Sequence, residues 1–406
     1  MPQYKNQTNP LVLVTVSGPD KAGITAQLTA ALAESNAVIY DIGQAVINNW
    51  LSLSILFRTN DNEGDEKATL KDLLFKSAEL GLKLEFQVFG EKIKESQISP
   101  NKKSRYAVTL LSSQIPARAI QKVSEVIVKH KLNIDEIQKL SESEFSCLEF
   151  SISSPEEINS SKLQFDLLSV AHEAGVDIAL QSEGIFRRSK RLVVFDMDST
   201  LIQNEVIDEI AELKGVKKQV SAITEKAMQG KLDFETSLRS RVELLDGLTR
   251  EEIANVFDRL TLTPGAKELI QVLKKLGYKI ALISGGFQCL AEKFKKELEI
   301  DYAYANQLEY NDNKTTGKII APIIDGQRKA DLLEVIAQQE KIDLNQVIAI
   351  GDGANDVFML QKAGLGIAFN AKQVVQDKAD LAINQKNLKT IFYILGLSDR
   401  DLSEIF

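Results

Sequence analysis

Three short segments carry more polar chemistry than a turn requires. FDMDST, Phe195 to Thr200, places Asp196 and Asp198 two residues apart at the end of the apolar run Leu192–Phe195. Carboxylates leaving one strand tip enter the same small space, and a bound cation relieves their repulsion. ISGGF, Ile283 to Phe287, follows a second apolar run and offers a serine hydroxyl with exposed backbone N–H groups, which suit a phosphate at a helix start. GDGANDVFML, Gly351 to Leu360, follows a third and sets Asp352 and Asp356 four apart. Hard oxygen ligands without His or Cys suit magnesium rather than zinc. Lys329, at the start of KADLLEVIAQQ, adds a cation. Each feature alone has an ordinary explanation. Asp198 and Ser199 are good helix caps, Ser-Gly-Gly is a common strand-to-helix turn, GDGAND makes an Asx turn, and a lysine is usually solvated. Together they form the set that phosphoryl transfer from a monoester requires. One carboxylate attacks phosphorus, a cation neutralises the oxygens, a hydroxyl and an ammonium hold them, and a second carboxyl handles the proton.

For these residues to meet, the strands before them must lie side by side. From Arg191 onward apolar strands alternate with helices. Strands are expected at Leu192–Phe195, Lys279–Ile283, Val347–Ile350 and Leu365–Ala368, with helices such as Lys267–Leu276 and Ala330–Glu340 between them. That pattern predicts a doubly wound parallel α/β sheet covered on both faces, with its ligands beyond the carboxyl ends of the strands. The stretch Glu205–Leu260 reads as a charged helical insertion above the sheet.

Upstream, periodicity predicts β-α-β-β-α-β twice, the split βαβ order of an α+β ferredoxin-like unit. The first copy has strands at Leu11–Val16, Val38–Val46, Leu51–Phe57 and Leu82–Phe89, and helices at Ile24–Ser35 and Glu66–Leu80. The second has strands at Tyr106–Leu111, Ile134–Ser141, Phe145–Ser153 and Val176–Ser182, and helices at Ala117–His130 and Ser160–Ala174. The expected organisation is a tail over 1–10, modules over 11–90 and 105–185, a linker over 91–104, and a catalytic domain over 186–406 with its insertion at 204–262.

Composition narrows the partners. The 406 residues carry a net charge of -8, which argues against nucleic acid as a ligand. Cys147 and Cys289 stand far apart and form no metal-binding pair, so a reducing cytoplasmic setting is expected. No apolar run reaches the roughly 18 residues of a membrane span, and the polar N-terminus does not read as a secretory signal. His130 and His172 fall in helices of the second module and are expected to pack or face solvent.

DMDST resembles the DxDx[TV] signature of the haloacid-dehalogenase-like phosphatases. Ser284, Lys329 and GDGAND are similar to that superfamily's later motifs, in the same order. The resemblance implies that Asp196 is the nucleophile and Asp198 the acid and base. It implies that Asp196, the backbone carbonyl of Asp198 and Asp352 ligate Mg2+ with Asp356 close by, and that Ser284 and Lys329 grip phosphate beside Gly285. NEVIDEIA and AMQGKLDFETSLRSRVELLDGL resemble the cap of the phosphoserine phosphatase family. That implies phosphoserine as the substrate, in the last step of serine biosynthesis. Glu205 would meet its ammonium, Arg241 its carboxylate, Met228 and Phe234 would close over it, and Asn355 would add a contact. The acceptor, water or an alcohol such as homoserine, is left open.

GPDKAGI, Gly18 to Ile24, resembles the strand-to-helix loop of the ACT family of amino-acid-sensing modules; SSQIPARAI, Ser112 to Ile120, occupies the same place in the second copy without the glycine pair. This resemblance implies an amino-acid effector such as serine. Exposed edges of such units pair with each other within a chain or across a homodimer.

Overall fold

The computed structural model describes residues 10–59, 65–89, 104–141, 144–228 and 231–405; most of the expected linker lies outside them. The chain forms two compact units, Met1–Asn101 and Lys102–Phe406.

In the first unit, β1 (Leu11–Pro19), β2 (Val38–Ile47), β3 (Trp50–Arg58) and β4 (Lys83–Phe89) form an antiparallel sheet in the order β2-β3-β1-β4. Alternation decides which face is covered. Val12, Val14 and Val16 with Leu51, Leu53, Ile55 and Phe57 are buried with Leu28, Leu32, Leu70 and Leu73 of the helices Ile24–Glu34 and Asp65–Glu79. Two glycines of GPDKAGI are required where they stand. A Cβ on Gly18 would lie 2.6 Å from Leu82 Cδ2, and Gly23 has a φ of 90° at the helix start.

The second unit opens with β5 (Ser104–Ser112), β6 (Asn133–Lys139), β7 (Ser146–Ser154) and β8 (Asp177–Ser182), in the order β6-β7-β5-β8 under the helices Ala117–Lys129 and Ser160–Ala174. A seven-stranded sheet follows. It contains β9 (Leu192–Phe195), β10 (Lys279–Phe287), β11 (Tyr302–Asn311), β12 (Lys314–Ile320), β13 (Val347–Gly351), β14 (Leu365–Phe369) and β15 (Leu381–Ile383), in the order β12-β11-β10-β9-β13-β14-β15. Central β9 runs parallel to β10 and β13, so the three acidic or hydroxyl segments end at one edge. β11 and β12 form an antiparallel hairpin. This hairpin and β15 were not expected from the sequence. YAYANQLEYN and KTTGKII are polar and only partly buried, so no apolar run marks them.

The insertion is helical, with segments Val206–Lys214, Lys217–Met228, Phe234–Glu243 and Arg250–Asn255. Its neck is pinned where Gln203 N–H donates to the Thr261 carbonyl and Thr261 N–H to Asn204 Oδ1, both at 2.9 Å.

The second module is joined firmly to the catalytic domain. Buried Asp177 accepts from the backbone N–H and Nδ2 of Asn384, both at 2.9 Å, and Gln181 Nε2 donates to the Ile394 carbonyl at 2.9 Å. Arg187 pairs with Glu149 in the interior, and Leu111, Leu140, Cys147 and Tyr393 form a small apolar cluster across the junction. His130 Nε2 meets Asp166 at 2.7 Å, and His172 Nε2 meets Gln373 of the catalytic domain at 2.6 Å.

Candidate active site

Asp196 sits where β9 ends, its N–H still donating to the Ile350 carbonyl of β13 at 2.9 Å. The chain then makes one wide turn, with Leu201 N–H returning to Asp196 O and Ile202 N–H to Met197 O. Ser199 takes a left-handed φ of 55° within it, a conformation costing about 1–2 kcal/mol for a residue with a side chain. The turn separates the jobs of its side chains. Asp198 Oδ1 accepts from the Val206 N–H at 2.7 Å, at the start of the first insertion helix. Ser199 Oγ donates to Glu205 Oε1 and Thr200 Oγ1 to Asp352 Oδ1, each at 2.9 Å.

Lys329 lies in the helix Gly326–Gln339, which Asp325 caps by accepting from Arg328 N–H at 2.8 Å. Its side chain is 0% exposed, and Nζ donates to Asp196 Oδ1 at 2.6 Å and Asp356 Oδ1 at 2.7 Å. Asp356 Oδ2 accepts from Gly353 N–H at 2.9 Å. Gly351 makes room for this carboxylate, since a Cβ there would lie 2.5 Å from Asp356 Cγ. Gly286 has the same role opposite, where a Cβ would lie 2.8 Å from Met197 Cε and 2.9 Å from Asp198 Oδ2.

Oxygens of Asp196, Asp352 and Asp356 lie within 4.8 Å of one another, with Lys329 as the cation bonded to two of them. Three carboxylates against one ammonium leave negative charge uncompensated in a buried place. An all-oxygen donor set with surplus negative charge fits a hard divalent cation. The Asp198 carboxylate is outside this cluster and faces Val206 N–H and Ser284, whose hydroxyl donates to it at 3.4 Å.

The electrostatics follow from burial. It drives the Asp196 carboxyl well above its ordinary value, helped by Asp356 and opposed by Lys329. Asp198 is pushed up to about 7, by burial first and Glu205 second. Asp352 also reaches about 7, from burial and then Asp356. Burial works to lower Lys329, but the charges of Asp196 and Asp356 win and hold it above the usual lysine range. Glu205 keeps exposed surface, yet the protein crowding its carboxyl raises it against the Ser199 hydrogen bond. Arg241 is lowered by burial against the opposing pull of Glu205, Asp208 and Asp198, which places its guanidinium in the same field.

The structure therefore brings together Asp196, Asp198, Ser284, Lys329, Asp352 and Asp356, with Glu205 and Arg241 at the insertion side. Phe234, Gly285 and Asn355 also converge: a Cβ on Gly285 would lie 3.1 Å from Phe234 Cζ and 3.6 Å from Asn355 Nδ2. Met228 ends its helix, and its side chain lies outside the described residues. Lys329, expected at phosphate, is bonded here to Asp196 and Asp356. Sequence reasoning missed Thr200 and Gly286. Both stand inside the quoted motifs, DMDST and ISGGF, which were the available signal.

Residues 190–364 match the haloacid dehalogenase-like hydrolase family, and residues 10–87 and 104–181 each match an ACT domain family. A haloacid dehalogenase family hydrolase of Salmonella enterica superposes with a TM-score of 0.63 and 32% identity, covering 71% of this chain and 98% of that one. A phosphoserine phosphatase of Streptomyces coelicolor is 39% identical over 398 residues, 97% of this chain and 94% of its own length. One from Mycobacterium tuberculosis is 37% identical over 389 residues, 95% of this chain and 93% of its own. Fold and site thus define a haloacid dehalogenase-like hydrolase preceded by two ACT domains. Within that class, the chain belongs to the phosphoserine phosphatase family. Among the described residues no helix is long and apolar enough to cross a membrane.

Proposed function

We propose that the chain hydrolyses O-phosphoserine to serine and phosphate, closing serine biosynthesis, through a phosphorylated Asp196. The observation that carries this reading is Glu205, whose carboxylate accepts from Ser199 within the Asp196–Leu201 turn at 2.9 Å, with Arg241 in the electrostatic field of Glu205, Asp208 and Asp198. An amino acid needs an anion for its ammonium and a forked cation for its carboxylate, next to the group that serves its phosphate.

Asp196, ionised, attacks phosphorus as the bond to the serine oxygen breaks. Asp198, pushed up to about 7, holds a proton near neutral pH and gives it to that oxygen. It then takes a proton from the water that attacks the aspartyl phosphate, which releases phosphate and restores Asp196. Ser284 and Lys329 hold phosphoryl oxygens, Lys329 also steadying Asp196. Asp196, Asp352 and the Asp198 carbonyl would hold Mg2+, with Asp356 beside them, and the ion would neutralise charge on the phosphoryl oxygens. Phe234 excludes water above the substrate, and Gly285 and Asn355 line the same wall.

Arg241→Ala tests the substrate reading. It is expected to weaken kcat/KM for phosphoserine by roughly 2–5 kcal/mol, the scale of losing one partner of a desolvated charged contact. Phosphoethanolamine, which lacks the carboxylate, should lose much less. Equal losses would mean that Arg241 supports the insertion and does not read the carboxylate.

We further propose that the ACT modules bind an amino acid, serine, and that the chain forms a homodimer. Support comes from GPDKAGI, where Gly23 opens the backbone at the helix start. A truncated chain beginning at Lys102 keeps the second unit intact, since the second module is bonded to the catalytic domain. Serine inhibition that weakens in this chain by about 5-fold or more supports sensing in the first module. Identical inhibition of both chains leaves that module a purely structural role.

A further inference from the structure

Asn306 lies in β11 and is 1% exposed. Its amide joins two segments of the site. Oδ1 accepts from Ile324 N–H at 2.8 Å, and Nδ2 donates to the Gly285 carbonyl at 2.8 Å. The Ile324 contact fixes which end of the amide is the donor, because only an oxygen can accept that N–H. The Gly285 contact matters because register shifts between Ile283 and Phe287, so the β10–β11 ladder does not pair the Ser284–Gly286 stretch of β10. Asn306 supplies the constraint that the ladder lacks.

The peptide between Gly285 and Gly286 is one planar unit. Asn306 holds its carbonyl end, and its N–H end donates to Ser284 Oγ at 2.8 Å. A hydroxyl oxygen that accepts this N–H keeps its own proton to give. The acceptor it meets, Asp198 Oδ2, is 3.4 Å away, beyond the about 2.5–3.0 Å of a good O–H···O bond. The Ser284 proton is thus turned toward Asp198 and weakly engaged, ready for a better acceptor such as a phosphoryl oxygen.

We propose that Asn306 is a positioning residue of the phosphate site, locking the Gly285–Gly286 peptide so that the Ser284 hydroxyl donates toward the Asp196–Asp198 side of the site. This rests on the reading of Ser284 as a phosphate ligand. The test is calorimetric titration of inorganic phosphate, with magnesium present, into the full chain, into Asn306→Asp, Asn306→Ala and Ser284→Ala, and into each Asn306 change combined with Ser284→Ala. Asn306→Asp keeps the acceptor for Ile324 N–H but sets an oxygen against the Gly285 carbonyl. Asn306→Ala removes both bonds without adding charge, so the variant retaining the wild-type melting transition is the one used. Each Asn306 change is expected to weaken phosphate about tenfold, the scale of one buried hydrogen bond to an anion. Added to Ser284→Ala it should cost less than about twofold more, because partners that act as one unit do not add. Losses that multiply in the double variant, or no loss from either Asn306 change, overturn the proposal. Unchanged phosphate affinity in Ser284→Ala alone is a separate failure, that of Ser284 as a phosphate ligand, and takes the proposal with it.

Discussion

Asparagine in place of Asp196 is expected to lower kcat by at least about 10^4-fold, the scale of removing a catalytic nucleophile, because an amide cannot form the acyl phosphate. The same variant should melt no lower than the parent in metal-free buffer. Burial and Asp356 already disfavour the charged form of Asp196, and an amide oxygen still accepts from Lys329 while Lys329 keeps Asp356. The shape is retained and a disfavoured charge is removed. Phosphate release from phosphoserine and a thermal melt, measured side by side, check both halves. A variant with a tenth of normal activity would contradict the assignment of the nucleophile, and one that fails to fold would show that Asp196 is structural.

Metal removal should have a comparably large effect. Chelation is expected to abolish turnover, and magnesium to restore it, with a pH dependence set by Asp198 and Asp352. Both carboxyls are pushed up to about 7 without metal, so the folded state binds more protons than the unfolded state from about pH 4 to about pH 7. Stability of the metal-free protein therefore falls as pH rises through that window. Of these two, Asp352 must lose its proton to hold a cation, whereas Asp198 would offer only its carbonyl, so magnesium should bind more tightly, and raise the melting temperature more, above pH 7 than below it. Melts across pH 5 to 8, with and without magnesium, read this directly. A metal-free protein that grows more stable with rising pH, or that is fully active, would refute the cation site.

What could be read from the sequence follows the signal each residue carries. The apolar strands before Asp196, Ser284 and Asp352 announced themselves, because a strand buried on both faces has to be continuous in Val, Ile and Leu. The two split βαβ units were legible from alternation, and their helices from apolar spacing. β11, β12 and β15 were not: the first two carry polar residues in partly exposed positions, and LAI is too short for a period. Within the site, identity and order were visible but mutual bonding was not. Nothing local shows that Lys329 divides itself between Asp196 and Asp356, which are 133 and 27 residues away. Asn306 drew no notice because a buried amide has no motif, and its role exists only once β11 lies beside the Ser284 turn. The attachment of the second module through Asp177 and Asn384, 207 residues apart, was equally hidden.

The most direct measurement uses phosphoserine labelled in its phosphate, mixed with the full chain and magnesium, with and without homoserine. The mixture is quenched in acid, the chain digested, and phosphate and serine quantified. The account predicts equal amounts of serine and phosphate, unchanged by homoserine, and an acid-stable, hydroxylamine-labile label on the peptide containing Asp196 that is absent from Asp196→Asn. Label on another peptide, or phosphate transferred to homoserine in place of release, would contradict it.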